Sequence, residues 1–238
     1  MVRRVKVGAE FVRLDVRCRG TNITTVTIAS DTTEPLTAET IANVVARYAV
    51  EPPQMFRTPA ITRAEAFGYE RCGFEVVSVL RLLTHDLEHL PRRSPLAVTS
   101  GQGRRIRIDH CVDIDRQAFG PDQSFDRLDL LAALDATTHS RLRIIMPNRS
   151  ERTGPAGFAV TGRAGNRGYL QRVAVDPAEQ GTGIGSALVI DALRWCRMHR
   201  VAKVVVNTAT DNDRALALYR RLGFVDTALD LLLMERRA

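Results

Sequence analysis

Residues 173–188 constrain this chain more than any other stretch. Val173-Ala-Val-Asp-Pro-Ala-Glu-Gln-Gly-Thr-Gly-Ile-Gly-Ser-Ala-Leu188 opens as a β-branched strand, stops at Asp176-Pro177, and passes through Gly181, Gly183 and Gly185 into helical spacing. Alternating glycines let the backbone take positive φ and turn its N–H groups inward, and a helix starting there adds its partial positive charge. Strand, glycine turn and helix in that order make a place for phosphate oxygens in an α/β protein. Two common phosphate loops are excluded by spacing. A G-x-x-x-x-G-K-S/T loop needs a lysine, and the chain's only lysines are Lys6 and Lys203; a G-x-G-x-x-G turn needs a third glycine where Ser186 stands.

The patterning around this loop is that of an α/β domain with a mixed sheet. Pro91-Arg-Arg-Ser-Pro95 and Ser100-Gly-Gln-Gly103 mark a boundary that divides the chain into residues 1–100 and 101–238. Beyond it, Arg105-Ile-Arg-Ile-Asp109 alternates like a short strand, and residues 113–134 carry helical spacing broken at Gly120-Pro121. Residues 157–161 and 168–175 read as strands joined by a turn over 166–168. A helix near 185–199, a strand over 201–207, a helix near 212–222 and a strand ending near Met234 follow.

The end of each half repeats. Tyr69-Glu-Arg-Cys-Gly-Phe74 matches Tyr219-Arg-Arg-Leu-Gly-Phe224 at an offset of 150 residues, each after a helix-like segment and before a strand-like one, and residues 38–50 pattern as a helix in the position of 185–199. The halves on this reading share a fold, the first a truncated copy without an opening strand and helix pair. Chance recurrence of six residues is the plainer alternative.

Gln180-x-x-Gly183-x-Gly185 resembles the Q/R-x-x-G-x-G/A pyrophosphate loop of the GNAT acetyltransferase superfamily. Asn212-Asp-Arg-Ala-Leu-Ala-Leu-Tyr-Arg-Arg-Leu-Gly-Phe224 is similar to that family's N-x-x-A-x-x-x-Y-x-x-x-G-F helix and turn, at the family's distance downstream. Singly, the residues have ordinary readings: Asn212 as a helix N-cap, Gly223 as a helix stop, Tyr219 as a packed aromatic. The resemblance covers residues 104–238 and the last third of the first half. It implies an α/β, mostly antiparallel mixed central sheet flanked by helices at 101–238, preceded at 1–100 by a degenerate, truncated repeat of the same fold.

The resemblance further implies acetyl-CoA as co-substrate, no metal, and transfer of the acetyl group to a primary amine of a small molecule, a protein N-terminus or a lysine. Carried over by position, backbone groups of Val173, Ala174 and Val175 pair with the pantetheine arm as an added strand, and one of their N–H groups faces the oxyanion. The loop of Gln180, Gly181, Thr182, Gly183, Ile184, Gly185 and Ser186 holds the pyrophosphate. Asn212 lies beside the arm, Ala215 is small enough to let it pass, and Tyr219 protonates the departing sulfur. No general base is evident, because the strand Gly168-Tyr-Leu-Gln-Arg-Val173 carries no carboxylate; a water-mediated base, or an acid such as Asp122 or Asp126 beside the Gly-Pro turn, would serve instead, and capping or solvation is the ordinary role of those two aspartates.

Composition narrows the partners. The formal charge of +7 is almost all arginine and is spread over both halves, with no basic run interleaved with aromatics; a polyanionic small ligand is expected rather than nucleic acid. Apolar runs reach five residues at most, against the roughly 18 that a membrane-spanning helix needs, so no membrane partner is expected. The basic N-terminus lacks the apolar stretch of a secretory signal, and a cytoplasmic location follows as the expectation. Cys18, Cys72, Cys111 and Cys196 are dispersed and read as reduced thiols.

His85-Asp-Leu-Glu-His89 matches an H-x-x-E-H zinc pattern, but it follows a strand-like run and is read as no metal site. Trp195 shares a helical stripe with Ile184, Leu188 and Ala192, and is read as packing. The alternative to an enzyme is a non-catalytic acyl-CoA-binding or regulatory module, against which the intact Gln180, Gly183, Gly185, Asn212 and Tyr219 argue. The first half is left with three roles: capping the acceptor pocket, forming a homodimer, or stabilising the fold.

Overall fold

The computed structural model describes residues 2–19, 23–49, 54–100, 105–146 and 154–237. They fall into two compact units, neither of them continuous in sequence: unit 1 comprises Met1–Leu82, Asn207–Asp211 and Thr227–Ala238, and unit 2 comprises Leu83–Val206 and Asn212–Asp226. The division therefore differs from one at residue 100. Residues 83–100 belong to unit 2, and the last strand of the chain belongs mostly to unit 1.

Unit 1 contains strands β1 (Val2–Val7), β2 (Glu10–Arg19) and β3 (Ile23–Ser30), helix α1 (Ala38–Tyr48), strands β4 (Gln54–Arg57) and β5 (Ile61–Thr62), helix α2 (Arg63–Glu70) and most of β6 (Glu75–His85). Strict alternation along β2 and β3 sends Val12, Leu14, Val26 and Ile28 to one face, where they meet Ile41, Val44 and Val45 of α1 and Ala66 and Tyr69 of α2. Thr37 and Thr62 cap the two helices; Thr62 and Glu65 form a reciprocal capping box. The sheet closes with β12 (Val225–Arg237), which pairs antiparallel with β4 and lends Leu232 and Met234 to this core.

Unit 2 contains β7 (Thr99–Ser100), α3 (Arg105–Gln123), α4 (Arg127–Asp135), β8 (His139–Ile145), β9 (Gly157–Ala164), β10 (Arg167–Val175), α5 (Ile184–Met198), most of β11 (Lys203–Ala209) and α6 (Asp213–Arg221). Its strands run in the order β7-β8-β9-β10-β11, antiparallel except for the parallel β10–β11 pair. One core lies beneath α5 and α6, a second beneath α3 and α4. Residues 105–109 open α3 rather than forming a strand, because Ile108, Cys111 and Val112 repeat at helical spacing and share one core. The β9–β10 turn lies at Gly165, φ 55°, just before the expected 166–168.

Apart from the two-residue β5, which has no counterpart, the order β1-β2-β3-α1-β4-α2-β6 reappears as β8-β9-β10-α5-β11-α6-β12, with a parallel pair at the same step in each, β3–β4 and β10–β11. Among the described residues, no helix precedes β1 in unit 1.

Candidate active site

Strand β10 is bulged where the site begins. Leu170 pairs with Thr161 and Arg172 with Val160, so Gln171 is the extra residue. An extra residue inverts the side-chain alternation: Leu170 packs in the α5 core, whereas after the bulge Val173 and Val175 pack there and Ala174 lies in the α3–α4 core. On its other side β10 pairs with β11 from Arg167↔Lys203 to Tyr169↔Val205. Beyond Tyr169, among the described residues, no strand pairs with that edge. Residues 173–175 thus combine one paired edge with one edge open to an added strand.

The loop after β10 is shaped by its own side chains. The Asp176 carboxylate accepts from Ala178 N at 2.9 Å, starting a single 3-10 turn over Pro177–Glu179, and Thr182 Oγ1 donates to the Glu179 carbonyl at 2.6 Å. Gly181 and Gly183 take φ of 85° and 92°, the left-handed region that glycine alone enters without strain. Gly183 is the N-cap of α5 and has no side chain to satisfy the helix's first donors; the first helical bond is Ala187 N to Gly183 O. The N–H groups of residues 184–186 therefore end the helix without intrahelical partners. Gly185 serves another purpose. It is helical, and a Cβ there would lie 3.3 Å from Leu218 and 3.7 Å from Val175, so its smallness seats α5 against α6 and β10.

Helix α6 lies along this loop. The Gln180 amide donates to the Val175 carbonyl at 3.3 Å, and its Oε1 accepts from Arg214. Arg221 Nη2 lies 3.3 Å from Ser186 Oγ. Arg214, Leu218 and Arg221, at i, i+4 and i+7, form one stripe facing Gln180, Gly185 and Ser186 in turn. Neither arginine was anticipated from the motifs; the helical spacing downstream of Asn212 was the signal that could have found them. Asn212 caps α6, its Oδ1 accepting from Ala215 N at 3.1 Å, and Ala215 packs beside it.

Tyr219 is buried beside Phe224, with ring centroids 5.5 Å apart. Burial pushes its hydroxyl up to about 12, partly offset by the positive charge of Arg172, so it stays protonated at neutral pH. His85, from the end of β6, lies on the other side of Phe224, 5.2 Å between centroids. Its Nδ1 accepts from Leu87 N at 2.9 Å, and burial lowers its pKa. His85 closes a strand, so the H-x-x-E-H residues do not share a helix.

On the α3–α4 side, Arg172 makes a clasp that the motifs did not reveal. Its guanidinium donates to both oxygens of the fully buried Asp115 at 2.7 and 2.6 Å and to the Gln123 carbonyl at 2.9 Å, and it is sandwiched between the rings of Phe119 and Phe125. Phe125 N donates to the same Asp115. Asp126 is the N-cap of α4 in a capping box with Asp129; the Asp122 side chain lies outside the described residues. Among the described residues no cluster of three or more His, Cys, Asp or Glu side chains is placed to hold a metal, and no helix is long and apolar enough to cross a membrane.

A family model described as Acetyltransferase (GNAT) family matches residues 108–224. The chain is 35% identical over 130 residues to the N-alpha-acetyltransferase RimI of Mycobacterium tuberculosis, covering 53% of this chain and 78% of that protein. It is 38% identical over 82 residues to a mycothiol acetyltransferase of Acidothermus cellulolyticus, covering 33% of this chain and only 25% of that one. Its fold is similar to that of a tandem GNAT protein from the clavulanic acid biosynthesis pathway, with TM-score 0.63 and 11% identity over 98% of this chain and 81% of the other.

Proposed function

The chain belongs to the GNAT family of acetyltransferases, and from that membership we propose that unit 2 moves an acetyl group from acetyl-CoA to a primary amine, a peptide α-amine being the first acceptor to test. The observation that carries the reading is the parting of β10 from β11 after Tyr169, with the glycine loop at one end of the opened edge and Tyr219 buried in the core against which Val173 and Val175 pack. The site fits the co-substrate: main-chain donors of residues 181–186 suit a diphosphate and the open edge over Val173, Ala174 and Val175 suits the amide-bearing arm, with Asn212, the N-cap of α6, and Ala215 assigned to the arm's side on this reading. Arg214 and Arg221 add positive charge at the loop's two ends. The α-amine is preferred because the N-alpha-acetyltransferase is the relative covered over most of its length.

Acetyl-CoA supplies a thioester carbon open to direct attack by an amine nitrogen; a C–N bond forms and the C–S bond breaks. The chain's part is to hold that carbon near a main-chain N–H of β10, which stabilises the oxyanion, and to give the thiolate the Tyr219 proton. A neutral, protonated tyrosine is what that role demands, and burial provides it. Asp126 is committed to its cap and Asp115 to Arg172; on this reading water takes the proton that the amine loses, and solvent returns one to Tyr219.

The test joins binding to turnover. Calorimetry with CoA is expected to show one site, lost when Gly183 is replaced by Val, because a β-branched side chain cannot hold φ near 92° without strain. Acetyl transfer to a peptide with a free N-terminus, followed by mass spectrometry, is expected to label the α-amine. Binding without turnover on any amine would instead favour an acyl-CoA-binding module.

A further inference from the structure

The segment joining the two halves of the sequence runs up to the glycine loop. Residues 86–98 run beside α5 in the opposite direction and are pinned to it at successive points. Arg197, near the C-terminal end of α5, donates to the carbonyls of Leu87 and Glu88 at 3.1 and 3.2 Å, and Arg194 donates to that of Pro91 at 2.9 Å. Arg143 of β8 donates to the Val98 carbonyl at 2.6 Å while its Nε faces Asp191 of α5 at 3.3 Å. Leu87 opens the segment with φ 67°, a backbone state that L residues avoid, and its side chain is buried in the α5 core. A non-glycine residue kept there indicates that its surroundings over-determine the path of the chain.

At the far end of this strap, Leu96 reaches the N-terminus of α5. Its Cδ1 lies 3.9 Å from the point where a Cβ on Gly183 would sit, and among the described residues no other side chain comes within 4 Å of that point. Leu96 also packs against the core beneath α5. The loop on which the proposed diphosphate site depends contains two glycines in the left-handed region, which are cheap to shape and equally free to move. A side chain standing over one of them limits the shapes the loop can take before a ligand arrives.

We propose that Leu96 is a positioning residue for the phosphate loop: the strap holds its side chain over Gly183, in the space a Cβ there would approach, and so presets the N–H groups of residues 183–186 for the CoA diphosphate. This rests on the reading of unit 2 as a CoA site. The strap's arginine anchors fix where Leu96 stands, and Leu96 acts on the ligand only through the loop.

The experiment is calorimetric titration of the whole chain with CoA, with thermal melting of each variant. Leu96→Ala is expected to weaken CoA binding by about fivefold or more, the effect of restoring the loop's lost freedom. Leu96→Met, which keeps the volume, should bind within about twofold of the parent. Leu130→Ala, which opens a void in the α3–α4 core away from the loop, controls for lost stability and should melt earlier with CoA affinity within about twofold of the parent. Unchanged affinity in Leu96→Ala would overturn the proposal, as would an equal loss in Leu130→Ala. If the parent chain itself binds no CoA, the site reading fails first and takes this role with it; Leu96→Val, read in the same way, decides the matter should the alanine variant not fold.

Discussion

Tyr69 and Tyr219 stand at the same place in the repeated Y-x-x-x-G-F segment, yet their hydroxyls do different things. The Tyr69 hydroxyl donates to the Ile28 carbonyl of β3 at 3.0 Å, deep in unit 1, whereas among the described residues no hydrogen-bond partner faces that of Tyr219. Tyr69→Phe is therefore expected to cost about 1–2 kcal/mol of stability, read from a urea midpoint, and to leave acetyl transfer unchanged. Tyr219→Phe is expected to do the reverse: kcat falls roughly 10- to 10³-fold while CoA affinity holds, and an unchanged kcat would remove Tyr219 from the mechanism. Burial raises both hydroxyls above 10, Tyr219 to about 12. The sign is that of a raised folded-state pKa, so the stability these residues confer is complete below pH 10 and lost as pH climbs towards 12, a fall that alkaline melting curves would show. His85 has the opposite sign: its lowered pKa confers stability above its ordinary value of 6.5, lost as pH falls below it.

Among the elements, β10 does most to build the site, and its bulge at Gln171 is the reason. Without the extra residue Arg172 would share the α5 face with Leu170; with it, Arg172 turns to the α3–α4 side and finds Asp115, Phe119 and Phe125. Arg172→Met leaves a buried carboxylate unpaired and is expected to cost about 3–5 kcal/mol, much of it recovered in the double variant with Asp115→Asn, as a double-mutant cycle in urea would measure. The strand motif and the glycine spacing were legible because both obey local rules: β-branched residues extend, and Gly181 and Gly183 occupy positive φ. The bulge was not, since nothing in Gly168-Tyr-Leu-Gln-Arg-Val173 distinguishes a bulged strand from a flat one until β9 pairs with it. Residues 105–109 misled in the same way, their short alternation yielding to a helix once Ile108, Cys111 and Val112 met a common core.

For the molecule as a whole, the division into discontinuous units has an energetic consequence. Leu232 and Met234 of β12 are almost fully buried in the unit 1 core, and Glu235 to Arg237 pair with Arg57 to Met55 of β4. Met234→Ala is expected to cost about 2–5 kcal/mol, and hydrogen exchange should show the loss in β2, β3 and β4, far from it in sequence. A loss of protection confined to unit 2 would contradict this arrangement.

From its sequence alone this chain declared a strand, a glycine turn and a helix suited to a diphosphate, and a second helix capped by Asn212 and stopped at Gly223, because each depends on neighbours within a few turns of chain; the repeat 150 residues apart was legible as matching residue types alone. Tertiary structure decided which tyrosine hydroxyl is occupied, where β10 bulges and parts from β11, which strand completes which unit, and that Leu96 stands over Gly183. Those outcomes depend on pairing and packing between residues distant in sequence, and no local pattern encodes them.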